Sequence, residues 1–345
     1  MKTIVVGSTH KSAGKTSLIV GLAKAAGKAS GYIKPLGDRL LYRKKRLWDY
    51  DAALVANVFG LEDNPEEMTI GFEHAKLKYM YDADGMKDKL NEMLAAAAEG
   101  KDLVFIEGGE SLSYGSSLNL DAVAIASLLN ARLVLVAGGS EGTIVDDIAF
   151  LKRYVDLKGT DFAGVIINKV RNVEDYKSTH LADVIALGVN VLGVVPFEGE
   201  MTKLSVGHLS ERLLAKVVAG EQGLDQKVNA IMVGAMSTNA ALQNPLFKKD
   251  GKLVITGGDR TDLVLASIES NTAGIILTNN VLPPSNIVSK AQERGIPLLL
   301  VPFDTYQTAS QIESIDPLLT KDDTRKMEII TQMVKEHVSL SGIVD

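Results

Sequence analysis

The chain has no cysteine among its 345 residues. Disulfides, thiolate metal sites and cysteine nucleophiles are therefore excluded. So are glutamine amidotransferases that rely on a Cys-His-Glu triad. Histidine is scarce: His10, His74, His180, His208 and His337 stand apart, without metal-ligand spacing. No apolar run reaches the length of a membrane span, and the N-terminus enters a strand pattern directly, without a signal peptide. There is no basic tail, and the net charge is −6. Nucleic acid and anionic membranes are thus not expected partners, and a cytoplasmic protein is the expectation.

The hydrophobic share, 46%, is enough for a full core, and the length suggests two domains. Short β-branched runs alternate with longer amphipathic segments, the pattern of an α/β chain with doubly covered parallel strands. Strands are expected near 2–7, 31–34, 102–106, 132–137, 162–167 and 190–195. Helices are expected near 15–27, 50–59, 72–80, 85–99, 120–129, 143–157 and 175–187. After a charged stretch and one helix at 208–219, a second series follows: strands 229–233, 252–256, 274–278 and 297–301, with helices 237–244, 261–269 and 284–293 between them. Met327, Ile330, Met333, Val334 and Val338 make 321–338 an amphipathic helix. The domain boundary falls near 200–205.

The organising motif is Gly7-Ser8-Thr9-His10-Lys11-Ser12-Ala13-Gly14-Lys15-Thr16-Ser17, between a strand and a helix. A small-residue turn ending in Gly-Lys-Thr at a helix start is the arrangement of a phosphate-binding loop. Backbone N–H groups of Ser12 to Ser17 would face a phosphate at the positive helix end. Lys15 would reach the β- and γ-phosphates, and the Thr16 hydroxyl would sit on Mg²⁺. The spacing departs from the common eight-residue form, which would put a glycine where Thr9 stands.

A triphosphate needs a divalent cation, and the cation needs hard oxygen ligands. Glu107 emerges from the apolar run Leu103-Val104-Phe105-Ile106 at the strand edge where ligands bind in open α/β sheets. Asp49 and Asp51 precede a helix; one can cap it and the other bind the metal, with Asp51 the preferred ligand. Lys34 ends a neighbouring strand, so its ammonium could face a transferred phosphoryl group. Asn168 ends another, and its amide can read a purine edge. Arg43-Lys44-Lys45-Arg46 reads as a solvated loop or an anion-facing flap.

These residues resemble a family. Gly7-Ser8-Thr9 with Gly14-Lys15-Thr16, Tyr32-Ile33-Lys34-Pro35, Asp51-Ala52-Ala53, Ile106-Glu107-Gly108, Asn168-Lys169 and Gly193-Val194-Val195-Pro196 recur in this order in dethiobiotin synthetase-like P-loop proteins. The resemblance implies that Lys15, Thr16, Asp51 and Glu107 hold Mg-ATP, with Thr16, Asp51 and Glu107 on the metal. It places Lys34 toward the phosphoryl group, Asn168 at the adenine and Pro196 at the nucleotide site. Lys15, Lys34 and Glu107 become the candidate catalytic residues. Further on, Gly257-Gly258-Asp259-Arg260-Thr261 and Val301-Pro302 with Asp304-Thr305-Tyr306 look like a DRTGG domain. The two-domain layout resembles the N-terminal regulatory region of long phosphotransacetylases and stand-alone proteins like it. Acetyl transfer to coenzyme A is not implied.

The expected fold is α/β throughout. A P-loop NTPase three-layer α/β/α domain with a parallel sheet takes 1–203. A smaller Rossmann-like α/β domain of DRTGG type takes 204–345 with the C-terminal helix. The expected function is a Mg-ATP-binding regulatory protein, metabolite-sensing through its second domain, with slow ATPase activity. An ATP-dependent ligase of dethiobiotin synthetase type is the alternative. Two departures weigh against the ligase: Glu110 and a serine-rich loop follow Glu107, and His10 and Lys11 enter the phosphate loop. A small anionic metabolite is expected at Gly258–Arg260, where a helix start and an arginine meet. The resemblance also implies a homodimer or higher homo-oligomer.

Overall fold

A computed structural model of the chain describes residues 1–345 other than 44, 45 and 63, with backbone alone at 42 and 43. Packing divides it into two units: residues 1–198 with 319–345, and residues 199–318.

The first unit is built on six strands: β1 (Lys2–Ser8), β2 (Ser30–Ile33), β5 (Leu103–Glu107), β6 (Arg132–Ala137), β7 (Asp161–Val170) and β8 (Val191–Pro196). A hairpin of β3 (Leu40–Arg43) and β4 (Arg46–Asp49) stands apart from this sheet. The sheet order is β2-β5-β1-β6-β7-β8, and its pairs are parallel. Ile4, Val5 and Val6 are fully buried, so both faces of the central strand are covered. Strand register then aligns the functional edge. Val6 stands opposite Glu107 and Ile33 opposite Ile106, so Ser8, Lys34 and Glu107 emerge together at the carboxyl ends.

Helix α1 (Lys15–Ala26) follows β1 and ends at Gly27 in the left-handed region. Helix α2 (Tyr50–Phe59) follows the hairpin and is capped by the Asp49 side chain, which accepts the N–H groups of Asp51 and Ala52. The helix Thr324–His337 lies along α1. Its contact is close because α1 has Gly21 there: a Cβ would come within 2.8 Å of Val334 Cγ2 and 3.0 Å of the Ile330 carbonyl. The sequence grouped this helix with the second domain; the packing joins 319–345 to the first unit. Its amphipathic stripe fixes that a face is buried, but not against which partner.

The second unit has a five-stranded sheet in the order β10-β11-β12-β13-β9. The strands are β9 (Lys216–Ala219), β10 (Ala230–Val233), β11 (Lys252–Gly257), β12 (Thr272–Thr278) and β13 (Leu298–Leu300). All pairs are parallel except β13 with β9. Leu253, Ile255 and Ile276 belong to one core cluster, and Ile275, Leu277 and Leu298 to another.

Both units are α/β, as the apolar runs required. The helix expected at 175–187 is two, Val173–Thr179 and Leu181–Ala186, and three further elements differ from expectation. The helix at 208–219 is a shorter helix, Val206–Arg212, followed by β9. Leu214, at φ 50, turns the chain out of the helix between them. The hairpin β3–β4 occupies a region read as a loop. Helix Thr305–Glu313, not expected, is fixed by a capping box between Asp304 and Gln307. Of the basic stretch, Lys44 and Lys45 lie outside the described residues, and Arg46 pairs with Glu66 at 2.7 Å. Among the described residues no helix is long and apolar enough to cross a membrane.

Gly21→Val should lower unfolding stability by about 1–3 kcal/mol, the usual cost of overpacking. Chemical denaturation checks this, and an unchanged midpoint would contradict the packing of Thr324–His337 on α1.

Candidate functional site

The phosphate loop leaves β1 at Ser8 and enters α1 at Lys15. Ser12 (φ 58) and Gly14 (φ 99) both adopt the left-handed region. At Gly14 a Cβ would also meet Asn168 Nδ2 at 2.5 Å, so only glycine fits. Two loop carbonyls are tied to the end of β7. Lys169 Nζ donates to the Ser12 carbonyl at 2.7 Å, and Asn168 Nδ2 to that of Ala13 at 2.8 Å. A trans peptide carries its N–H opposite its carbonyl, so the N–H groups of Ala13 and Gly14 face away from β7. Gly14 caps α1 without a side chain, leaving the first N–H groups of the helix for an anion.

Lys15 is buried, and its ammonium donates to Ser8 Oγ at 2.9 Å. Burial pulls its pKa below the usual lysine value, partly offset by the Glu107 carboxylate. Glu107 accepts from Thr16 on one oxygen and from Tyr32 on the other: Thr16 Oγ1 reaches Oε1 and Tyr32 Oη reaches Oε2, both at 2.9 Å. Burial raises the Glu107 pKa to about 7, reinforced by the nearby Asp51 carboxylate.

Beside them lies a buried ionic cluster. Lys34 Nζ sits 2.6 Å from Asp38 Oδ1, 2.6 Å from Asp51 Oδ2 and 3.3 Å from Asp49 Oδ1. Arg39 Nη1 donates to both Asp51 oxygens, at 3.1 and 3.2 Å. Asp49 uses Oδ1 to cap α2 and Oδ2 to accept the N–H groups of Asp38 and Arg39. Burial alone would depress the Lys34 pKa, but the carboxylates of Asp51 and Asp49 outweigh it and hold the ammonium well above its usual range. Burial would raise Asp51; Lys34 and Arg39 outweigh it and bring its pKa to about 2.

The expected residues Lys15, Thr16 and Glu107 therefore converge, and Ser12, Ala13 and Gly14 form the loop above them, with Ser17 in the first turn of α1. Asp51 and Lys34 are close by but engage each other. Asn168 braces the loop with an amide N–H that a purine would otherwise use. Pro196 ends β8, level with Val170. Ser8, Tyr32, Asp38, Arg39 and Lys169 belong to this arrangement and were not singled out from sequence. Ser8, Tyr32 and Lys169 stand inside the quoted motifs without a role read for them; Asp38 and Arg39 are brought in only by the fold. The two departures in the loop answer each other, since Lys11 pairs with Glu110 at 3.2 Å. His10 pairs with Asp147 at 2.6 Å.

In the second unit, the groups expected to receive an anion turn to the chain itself. The Arg260 guanidinium donates to the carbonyls of Gly234 and Met236. Gly258 permits close approach of the backbone at Val281, whose carbonyl would lie 2.0 Å from an added Cβ. Helix Thr261–Glu269 has no side-chain cap at Arg260. Asp262 in its first turn accepts from the Thr238 hydroxyl and the Leu263 N–H, and these bonds hold its carboxyl below the usual range. A carboxylate at this helix start opposes an anion there.

Comparison with known proteins fits this architecture. A family described as an AAA domain matches residues 2–205, and the DRTGG domain family matches residues 208–315. The phosphate acetyltransferase of Pseudomonas aeruginosa is 26% identical over 99% of this chain and 52% of its own length. That of Pseudomonas putida is 28% identical over 99% of this chain and 51% of its own length. The chain thus spans about half the length of these relatives. Among solved structures, the MinD cell division protein of Aquifex aeolicus resembles it with a TM-score of 0.37 and 16% identity, over 58% of this chain and 84% of that one.

Lys34→Met leaves three acids, Asp38, Asp49 and Asp51, facing Arg39 alone among the described residues, and should cost roughly 3–5 kcal/mol in chemical denaturation; a loss under about 1 kcal/mol would contradict the cluster. Glu107, with its folded pKa raised to about 7 from 4.5, holds its proton more tightly folded than unfolded. Its contribution is therefore present below pH 4.5 and is lost as pH rises through 7. Glu107→Gln removes this titration. The variant's melting temperature should gain on the wild type between pH 5 and pH 8, and a difference constant with pH would contradict the assignment.

Proposed function

The chain belongs to the AAA domain family, and from that premise we propose that its phosphate loop binds ATP with Mg²⁺. The observation that carries this is the convergence of Lys15, Thr16 and Glu107 beneath an uncapped helix start. Lys15 exchanges its Ser8 partner for phosphate oxygens. The loop N–H groups turned away from β7 cradle the phosphates. A hydroxyl and a carboxylate oxygen 2.9 Å apart are a hard-oxygen pair suited to Mg²⁺. In this reading Thr16 and Glu107 hold the ion, which when bound neutralises the phosphate charge. Asp51 holds Lys34 and Arg39 in place, since both of its oxygens already serve those cations. Asn168 acts on the loop, with its carbonyl oxygen and second N–H left for the base.

The second half of the proposal is regulatory. An AAA domain and a DRTGG domain share this chain, and their combined length matches about half of relatives named phosphate acetyltransferase. We infer a nucleotide-binding protein whose DRTGG domain senses a metabolite, with slow ATP hydrolysis. The ligase reading requires Lys34 to face a phosphoryl group, and Asp38, Asp49 and Asp51 hold it instead.

Isothermal titration calorimetry with Mg-ATP tests the site. The wild type should bind, and Lys15→Ala should weaken binding about tenfold to a hundredfold, the worth of hydrogen bonds to a charged group. No binding by the wild type, or equal binding by the variant, would overturn the assignment.

A further inference from the structure

We propose that Tyr32 is a positioning residue for Glu107: its phenol fixes the carboxylate so that Oε1 faces Thr16 as a preformed cation ligand. The inference rests on the Mg-ATP reading of the loop and adds to it a residue outside the phosphate-binding motif.

Tyr32 lies on β2, level with Phe105 of β5, two positions before Glu107. Its ring is 1% exposed, so packing on all sides fixes where the hydroxyl points. That hydroxyl donates to Glu107 Oε2 at 2.9 Å. Glu107 is itself 2% exposed, so its oxygens depend on protein donors. Thr16 takes the other oxygen. With a donor on each oxygen, the carboxylate is held against rotation about its last torsion, which is otherwise broad. In holding a cation beside Thr16, Glu107 would give up the Thr16 bond on Oε1 and keep the Tyr32 bond on Oε2. Carboxylates that bind metals are characteristically held by such an outer partner, and losing one typically costs 10–100-fold in metal affinity.

No other described side chain is hydrogen-bonded to Glu107 besides Thr16 and Tyr32. The Lys34 cluster acts on it through charge alone. The division of labour is therefore by oxygen: Oε1 for the ion and Thr16, Oε2 for the phenol. Phenylalanine at 32 would keep the ring and its packing and remove only the donor, which separates positioning from folding.

The test is calorimetric, on the full chain, with ATP titrated in the presence of Mg²⁺ and again with EDTA. Tyr32→Phe should leave affinity for metal-free ATP within about twofold, while the gain in affinity on adding Mg²⁺ falls roughly tenfold. In Glu107→Gln, adding Tyr32→Phe should change that gain no further, because the group it positions is gone. Equal weakening with and without Mg²⁺ would mark Tyr32 as merely structural and overturn the proposal. So would an unchanged Mg²⁺ gain, or a full second loss in the double variant. Failure of the wild type to bind ATP at all would instead overturn the nucleotide reading.

Discussion

The first unit depends on one constraint: charged groups buried at the carboxyl edge of a parallel sheet must satisfy one another. Lys34, Asp49, Asp51 and Glu107 are all at most 2% exposed. A buried charge without a partner costs several kcal/mol, so the chain around them is shaped to supply partners. Asp49 shows how far this reaches. It ends β4, caps α2, and draws the N–H groups of Asp38 and Arg39 back across the base of the hairpin. Hairpin, helix start and lysine contact thus close on one carboxylate.

The arrangement is not neutral within itself. Asp38, Asp49, Asp51 and Glu107 face Lys15, Lys34 and Arg39. Lys34 and Arg39 bring the Asp51 pKa to about 2 against its burial, while burial, reinforced by Asp51, raises Glu107 to about 7. The carboxylate bonded to Thr16 accepts from two hydroxyls, Thr16 and Tyr32, where Asp51 accepts from two cations. On the proposed reading Mg²⁺ is the cation at Glu107, and Asp51, though acidic and near, already has its cations. On that reading Glu107 and Asp51, alike as candidate ligands in the sequence, take different roles.

Much of this was legible in the sequence because the information is local. The phosphate loop is contiguous, with strand before and helix after, so Lys15 and Thr16 could be named from spacing. Glu107 follows from a buried strand ending in an acid. The contacts that change the meaning of these residues are not local. Asn168 stands at a strand end where a purine contact is a fair expectation, yet strand order places it under the loop carbonyls. Arg39 carries no motif; Tyr32 stands in Tyr32-Ile33-Lys34-Pro35, but only the pairing of β2 with β5 brings it to Glu107. The carbonyl partners of Arg260, Gly234 and Met236, lie on a different strand–helix turn and carry no sequence signal. The C-terminal helix announces an apolar stripe, but its partner is a glycine about three hundred positions earlier in the chain.

On the proposed reading, the buried edge of the first unit holds Mg-ATP through Thr16 and Glu107. A crystal structure of the chain with Mg²⁺ and a non-hydrolysable ATP analogue tests it most directly. The metal is expected on Thr16 Oγ1 and Glu107 Oε1, with Lys15 moved from Ser8 to the phosphates and Asp51 still on Lys34 and Arg39. A nucleotide bound elsewhere, or a metal held by Asp51 with Lys34 displaced, would contradict it.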